Sequence, residues 1–175
     1  GLTATEDVEI FPKTGTVSAT SVPAGIPLTV SASTAIVGST ILAEPKPSHD
    51  SLFTRAIWHF ARGSAFAATG QADRAVQERQ ALEAIAADPA LAKLPAFSLN
   101  PPDKIVAIAL EVLNGDIAAR QKEYDAAIAY FDRAARLEDG LIYTEPPGWH
   151  APVRHWLGAT LLDAGRPAEA IAPLQ

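Results

Sequence analysis

Histidine is the first residue type to consider for chemistry in this sequence, because its imidazole can ligate a metal or transfer a proton. The chain has four: His49, His59, His150 and His155. Two ligands of one metal on a helix should lie four residues apart, whereas His150 and His155 are five apart, which is about 140° around a helix. There is no H-E-x-x-H motif and no cysteine. We predict no metal site and no cofactor, and keep a metal-binding protein only as an alternative.

Other patterns that support catalysis are also missing. The sequence has no G-x-S-x-G elbow, no phosphate-binding Gly-Lys-Ser/Thr loop and no G-x-G-x-x-G motif. Several carboxylates stand at helical spacings beside basic residues, which indicates ion pairs on solvated helix faces; they are Glu78, Glu83, Asp132 and Glu138. We therefore predict that the chain is not an enzyme.

The balance of charge narrows the classes of partner. The formal net charge is -6, and the 14 Lys and Arg residues are scattered, so no basic surface is available to neutralise phosphates. We therefore predict that nucleic acid is not a partner. The stretch from Thr14 to Ala43 carries no charge, but it is rich in Ser and Thr and is interrupted by Pro23 and Pro27. Because a membrane-spanning helix needs a mostly apolar surface, we predict no membrane span.

Residues 1–46 have the composition of strands and turns. Thr, Ser, Val, Ala, Gly and Pro predominate, and apolar and polar residues alternate in short runs. The segment has too few large side chains to build its own core, so it must pack on something, in its own chain or in another. We predict a β-rich extended arm whose apolar face includes Val8, Ile10, Leu28, Val30, Ile36 and Val37.

The character of the sequence changes near residue 47 to an Ala-rich, charged, helix-forming pattern. Pro45 and Pro47 favour an extended joint before the first helix. We predict helices at roughly residues 51–69, 72–87, 103–121, 124–137, 151–164 and from 167 onward. These form three pairs in a helical domain of residues 47–175, which we expect to continue beyond residue 175.

A spacing of twelve residues separates a glycine from an alanine three times in the helical region: Gly63–Ala75, Gly115–Ala127 and Gly158–Ala170. Seven residues after the first and third of these glycines come Gly70 and Gly165, each at the predicted turn within a pair, and Lys122 takes that place in the second. Small residues let helix backbones approach closely. We therefore expect each glycine to meet its alanine where paired helices cross.

At these residues the sequence resembles the tetratricopeptide-repeat family, over about residues 51–175. The third copy is the most similar, through Leu157, Gly158, Leu161, the turn at 165–167 and the run 168–170. The resemblance implies a mainly α, antiparallel helical-hairpin solenoid of about three pairs, of a bacterial type with irregular repeat lengths, carrying the N-terminal β-rich arm. The repeat glycines are 52 and 43 residues apart, so two insertions are expected, at residues 89–102 and 139–151.

The family binds partners on the concave face, which is lined by the first helix of each pair. Family geometry and helical spacing place eight residues there: Phe60, Ser64, Val112, Asp116, Arg120, His155, Ala159 and Leu162. For Phe60 and Val112 a core position is an equal alternative, because apolar residues are usually buried. The second insertion offers another surface, formed by Tyr143, Trp149 and His150, if its aromatic residues are exposed anchors. The alternative is a rigid plug that lays the third pair against the second.

From these patterns we expect a non-catalytic scaffold that binds another protein. An alternative is a self-assembling structural subunit, forming a filament or another homo-oligomer, in which the arm docks onto a neighbouring protomer. The absence of Cys and Met and the wealth of Ser and Thr are compatible with an exported, periplasmic or extracellular, assembly. Enzymatic or metal-binding function remains the third alternative.

Overall fold

The computed structural model describes Leu42, Lys46, Pro47 and residues 51–95 and 99–171. This part of the chain is mainly helical and contains no β-strand. The mainly α prediction is confirmed for the described residues. The positions predicted for the β-rich arm lie outside them: Val8, Ile10, Leu28, Val30, Ile36 and Val37.

Within residues 51–171, the described part of the chain has six α-helices in the predicted order: α1 (Leu52–Ala68), α2 (Ala72–Ala86), α3 (Pro102–Arg120), α4 (Tyr124–Asp139), α5 (Val153–Asp163) and α6 (Pro167–Ala170). A 3₁₀ turn at Leu91–Lys93 lies between the first two pairs. Local signals set the helix starts. The Ser51 hydroxyl accepts a hydrogen bond from the Thr54 amide, and Pro102 and Pro167 stand in first turns, where an amide N–H would lack a helical partner anyway.

The turn within each pair repeats one backbone geometry. The residues Gly70, Lys122 and Gly165 have φ of 76°, 63° and 73°. The next amide donates to the carbonyl five residues back, in the bonds Gln71 to Phe66 (2.9 Å), Glu123 to Ala118 (2.9 Å) and Arg166 to Leu161 (2.8 Å). This is the Schellman closure of a helix, which favours glycine because the backbone is left-handed there. The repeat seen in the sequence is therefore present in the backbone, and Lys122 adopts the same conformation.

Helix α3 is the centre of the packing. It contacts α1, α2 and α4, so it buries residues around most of its circumference. Helix α5 packs on α4 but has no comparable contact with α3 in the described part of the chain. The first two pairs therefore stack directly, while the third is joined through α4 and the second insertion.

Two of the repeat glycines lie against large core side chains. A Cβ atom at Gly115 would lie 2.7 to 2.9 Å from three ring atoms of Phe131, and one at Gly63 would lie 2.7 Å from Cδ2 of Leu113. Leu113 and Phe131 therefore fill the space beside these two glycines, so the backbone is closely packed at both positions. The predicted pairing of each glycine with its alanine stays a prediction.

Two of the four carboxylates interpreted as solvated ion pairs have that role. Glu83 accepts from Arg79 at 2.9 Å and Asp132 accepts from Arg136 at 2.7 Å, each across one helical turn. Such pairs stabilise a helix by about 0.3–0.5 kcal/mol.

The other two carboxylates bond to neighbouring helices and are not solvated ion pairs on one helix face, which corrects the prediction for them. The partly buried Glu78 of α2 accepts from Arg62 Nε at 2.9 Å and lies 2.6 Å from His59 Nδ1, joining α2 to α1. Glu138 of α4 accepts the Val153 amide at 2.8 Å and so caps α5, for which Pro152 provides no side-chain cap.

Candidate functional site

The two insertions that break the repeat meet each other. Nδ2 of the buried Asn100 donates to the Ile142 carbonyl at 2.8 Å, and the Ile142 amide donates to Asn100 Oδ1 at 2.7 Å. Gly148 lies against this pair, since a Cβ atom there would be 2.9 Å from Nδ2. We call this paired contact the Asn100 clasp. It holds together two loop segments that are separated by a whole helix pair in sequence.

An open cleft of about 600 Å³ lies beside the Asn100 clasp. Its walls come from α1, the first insertion, α3 and the second insertion: Phe53, Leu99, Asn100, Pro102, Ile105, Thr144, Glu145, Pro146, Pro147 and Gly148. Most of these side chains are apolar. Leu99 is 65% exposed, and Ile142 and Tyr143, at the other side of the clasp, are 56% and 78% exposed. The cleft therefore has an exposed apolar edge.

Side-chain hydrogen-bond donors at the cleft donate within the protein. The Thr144 hydroxyl donates to the Pro146 carbonyl at 2.9 Å, and Tyr143 Oη donates to Glu145 Oε1. The amide group of Asn100 is held in the clasp. Glu145 is the single charged side chain among the described lining residues. The cleft thus presents apolar surface and a carboxylate to a ligand.

Next to the cleft, the second insertion forms an aromatic cluster with α1 and α5. The rings of Trp149 and Phe60 meet edge to face with centroids 5.4 Å apart, and His150 lies 4.8 Å from Trp149 and 5.9 Å from Trp156. Partial burial lowers the pKa of His150. Trp149 is only 4% exposed, so it packs as a plug that links the first and third pairs rather than serving as an exposed anchor. Tyr143 alone of the three aromatic candidates stands outside the cluster and is largely exposed.

The residues predicted for the concave face do not share one environment. Val112 is 2% exposed and belongs to the core, because the central helix α3 has neighbours on several sides. Asp116 and Arg120 pair with each other at 3.0 Å, and burial raises the pKa of Asp116 against the opposing charge of Arg120. Phe60 is half-buried and belongs to the aromatic cluster. The remaining four are half-buried or exposed: Ser64, Ala159, His155 and Leu162.

Sequence reasoning missed Asn100, Phe53 and Glu145. The two Pro-rich insertions were identified, but nothing in either pattern indicates that Asn100 pairs with Ile142, because hydrogen bonds between distant segments leave no local periodicity. Insertions into a regular repeat were the available signal, since loops on a rigid scaffold commonly carry function.

The described residues include no group of three or more His, Asp or Glu side chains placed to hold a metal ion. Within the same ranges, no helix has the length and apolar character needed to cross a bilayer. What the arrangement offers is a binding surface: a cleft with apolar walls, an exposed apolar edge and a single carboxylate. Comparison with protein-family models, with curated proteins and with solved structures found no match.

Proposed function

We propose that this chain is a non-catalytic scaffold of the tetratricopeptide-repeat type that binds another protein through the cleft between its two insertions. The observation that carries the proposal is the exposed apolar edge formed by Leu99, Ile142 and Tyr143. The Asn100 clasp brings the segments that carry these residues together, since Leu99 precedes Asn100 and Tyr143 follows Ile142. Exposed apolar surface is typical of protein interaction sites.

The chemistry of the cleft favours binding over catalysis. General acid–base catalysis normally needs two titratable groups with different proton affinities facing one substrate. Glu145 is the single titratable side chain among the described lining residues. The rigid helical pairs on one side and the clasped insertions on the other instead suit a preformed recognition surface.

The three equivalent helix ends support the repeat architecture. Each closes with the same left-handed residue and the same hydrogen bond, at Gly70, Lys122 and Gly165. Arrays of such hairpins present extended surfaces to partners, and their insertions map to loops on one face. The cleft is the place where both insertions of this chain meet.

Self-assembly remains the second candidate, because an apolar edge can bind a copy of the same chain as well as a different protein. In that case the uncharged segment Thr14–Ala43 belongs to the arm that docks onto the neighbour. Sedimentation velocity of the full chain and of a variant lacking residues 1–46 separates the two candidates. Large assemblies that disappear on deletion support self-assembly, whereas a concentration-independent monomer in both samples opposes it.

Site-specific photo-crosslinking tests the scaffold proposal. A benzophenone amino acid at position 143, expressed in the full chain in its native cells, should give a crosslink to a distinct second protein. The matched control carries the same group at Ile171, which is similarly exposed at 60% but lies outside the cleft. Adducts with the chain itself would favour self-assembly. Equal adducts at both positions, or none at position 143, would remove the cleft as the interaction surface.

A further inference from the structure

Resting on the proposed function, we infer that the cleft receives an extended segment of a partner protein in which a lysine or arginine stands between apolar residues. The inference concerns the chemistry of the partner at the same site. It follows from the charge of the lining, from its hydrogen-bonding groups and from the shape of its walls.

Charge favours a cation. Glu145 is exposed and negatively charged, and no basic side chain is found among the described lining residues. One oxygen of its carboxylate accepts from Tyr143, which leaves the second oxygen for a partner. The first turn of α3 adds Asp103 next to the lining residue Pro102, and this carboxylate offsets the positive end of the helix dipole. A bound anion would meet Glu145 without a compensating cation.

The hydrogen-bonding groups point the same way. Pro102, Pro146 and Pro147 have no amide hydrogen, so their backbone can accept but not donate. The Thr144 hydroxyl and the Asn100 amide group donate within the protein. Ligands that only accept hydrogen bonds, such as carboxylates and phosphates, therefore find few side-chain donors. Ammonium and guanidinium groups, which only donate, complement such a lining.

The walls select an extended apolar segment around that cation. Phe53, Leu99 and the Pro146–Pro147 pair offer apolar surface in the cleft, which is open to solvent. Its volume of about 600 Å³ accommodates a few side chains of a peptide. Apolar neighbours on the peptide would cover Leu99 and Tyr143, which are exposed in the free protein.

Selection from a phage-displayed library of random dodecapeptides on the full chain tests the inference. We expect enriched sequences to carry Lys or Arg flanked by Leu, Val, Phe or Pro. The enriched peptides, labelled with fluorescein, should bind Glu145→Gln about two- to fivefold more weakly at low salt, which is the usual range for an exposed ion pair. The control is Glu123→Gln, since Glu123 is an exposed carboxylate outside the cleft lining.

A companion peptide with norleucine in place of the basic residue completes the test. It should bind the wild type and Glu145→Gln equally, because it lacks the charge that Glu145 attracts. Enriched peptides that are acidic or neutral, or basic peptides that bind Glu145→Gln as well as the wild type, would overturn the inference and leave the proposed function standing. Sequences that match a segment of this chain would overturn it in favour of a second copy. If no peptide is enriched, the proposed binding function of the cleft fails as well.

Discussion

Replacing Gly115 with alanine tests the close contact between α3 and the Phe131 ring of α4. Two effects oppose each other. Alanine in a helix interior is more favourable than glycine by about 1 kcal/mol. The added Cβ atom, however, would lie 2.7 to 2.9 Å from three ring atoms of Phe131, well inside van der Waals contact. Phe131 is 1% exposed, and a flat ring in a packed core cannot move away as the end of a flexible side chain can.

Overpacking of a core typically costs about 1–3 kcal/mol. With three simultaneous contacts we take the upper part of that range, so after subtracting the gain in helix propensity we expect Gly115→Ala to lower the free energy of unfolding by about 1–2 kcal/mol. Urea unfolding followed by circular dichroism gives the midpoint and the slope. An unchanged slope would show that the loss lies in stability and not in the extent of unfolding.

A double-mutant cycle identifies the cause. Phe131→Leu removes the ring that the new methyl group would strike, so Gly115→Ala should cost much less in that background than in the wild type. The control is Gly140→Ala, where the nearest atom to an added Cβ is the Leu137 carbonyl oxygen at 3.4 Å. A Gly115→Ala protein as stable as the wild type, or more stable, would refute the close contact between α3 and α4. The same conclusion would follow from equal losses in the two backgrounds.

Three further predictions concern other parts of the fold. Lys122→Gly should raise the free energy of unfolding by about 0.5–1 kcal/mol in a urea titration, because a left-handed φ strains lysine but not glycine. The control is Lys122→Ala, which keeps the strain. An equal change in the two variants would contradict the reasoning. Trp149→Ala should lower the thermal midpoint and reduce the free energy of unfolding by about 3–5 kcal/mol, because it removes the central ring of the aromatic cluster. Trp149→Phe keeps a ring and should reduce the free energy of unfolding far less. Equal reductions in the two variants would contradict the packing role of Trp149. Burial raises the pKa of Glu138, so its protonated form is favoured by folding and its contribution to stability is lost as pH rises through that raised pKa. The free energy of unfolding, measured between about pH 4 and about pH 8, should vary less with pH in Glu138→Gln, which still accepts from Val153, and a pH dependence unchanged by the substitution would refute the assignment.

The helices could be predicted from the sequence because their signals are local. Proline at a first turn and glycine at a helix end act through the backbone conformation of one or two residues, so Pro102, Gly70 and Gly165 mark boundaries wherever the helix is placed. Lys122 was found by its position in the repeat, although its residue type gives no such signal. The candidate site was only partly visible, through the Pro-rich composition of the two insertions.

Burial of individual residues was harder to predict. Helical spacing left Val112 on a binding face or in the core. The structure places it in the core, because α3 is surrounded by α1, α2 and α4. For Trp149 the sequence left an exposed anchor and a buried plug as alternatives, and the usual burial of Trp favoured the plug. Its contact with Phe60 decides for the plug, and that contact joins residues far apart in sequence.

By itself the sequence determined that the region after residue 47 forms paired helices with a repeated turn, since helix propensity, capping and apolar periodicity all act within a few residues. It also determined the net charge and the lack of thiol chemistry. Only the tertiary structure decided that Asn100 pairs with Ile142, that Phe131 fills the space beside Gly115, and that Glu145 is the one charged group among the described residues of an apolar cleft. Those features depend on contacts between segments brought together by packing, which is governed by the shapes of distant surfaces and not by any pattern within one segment.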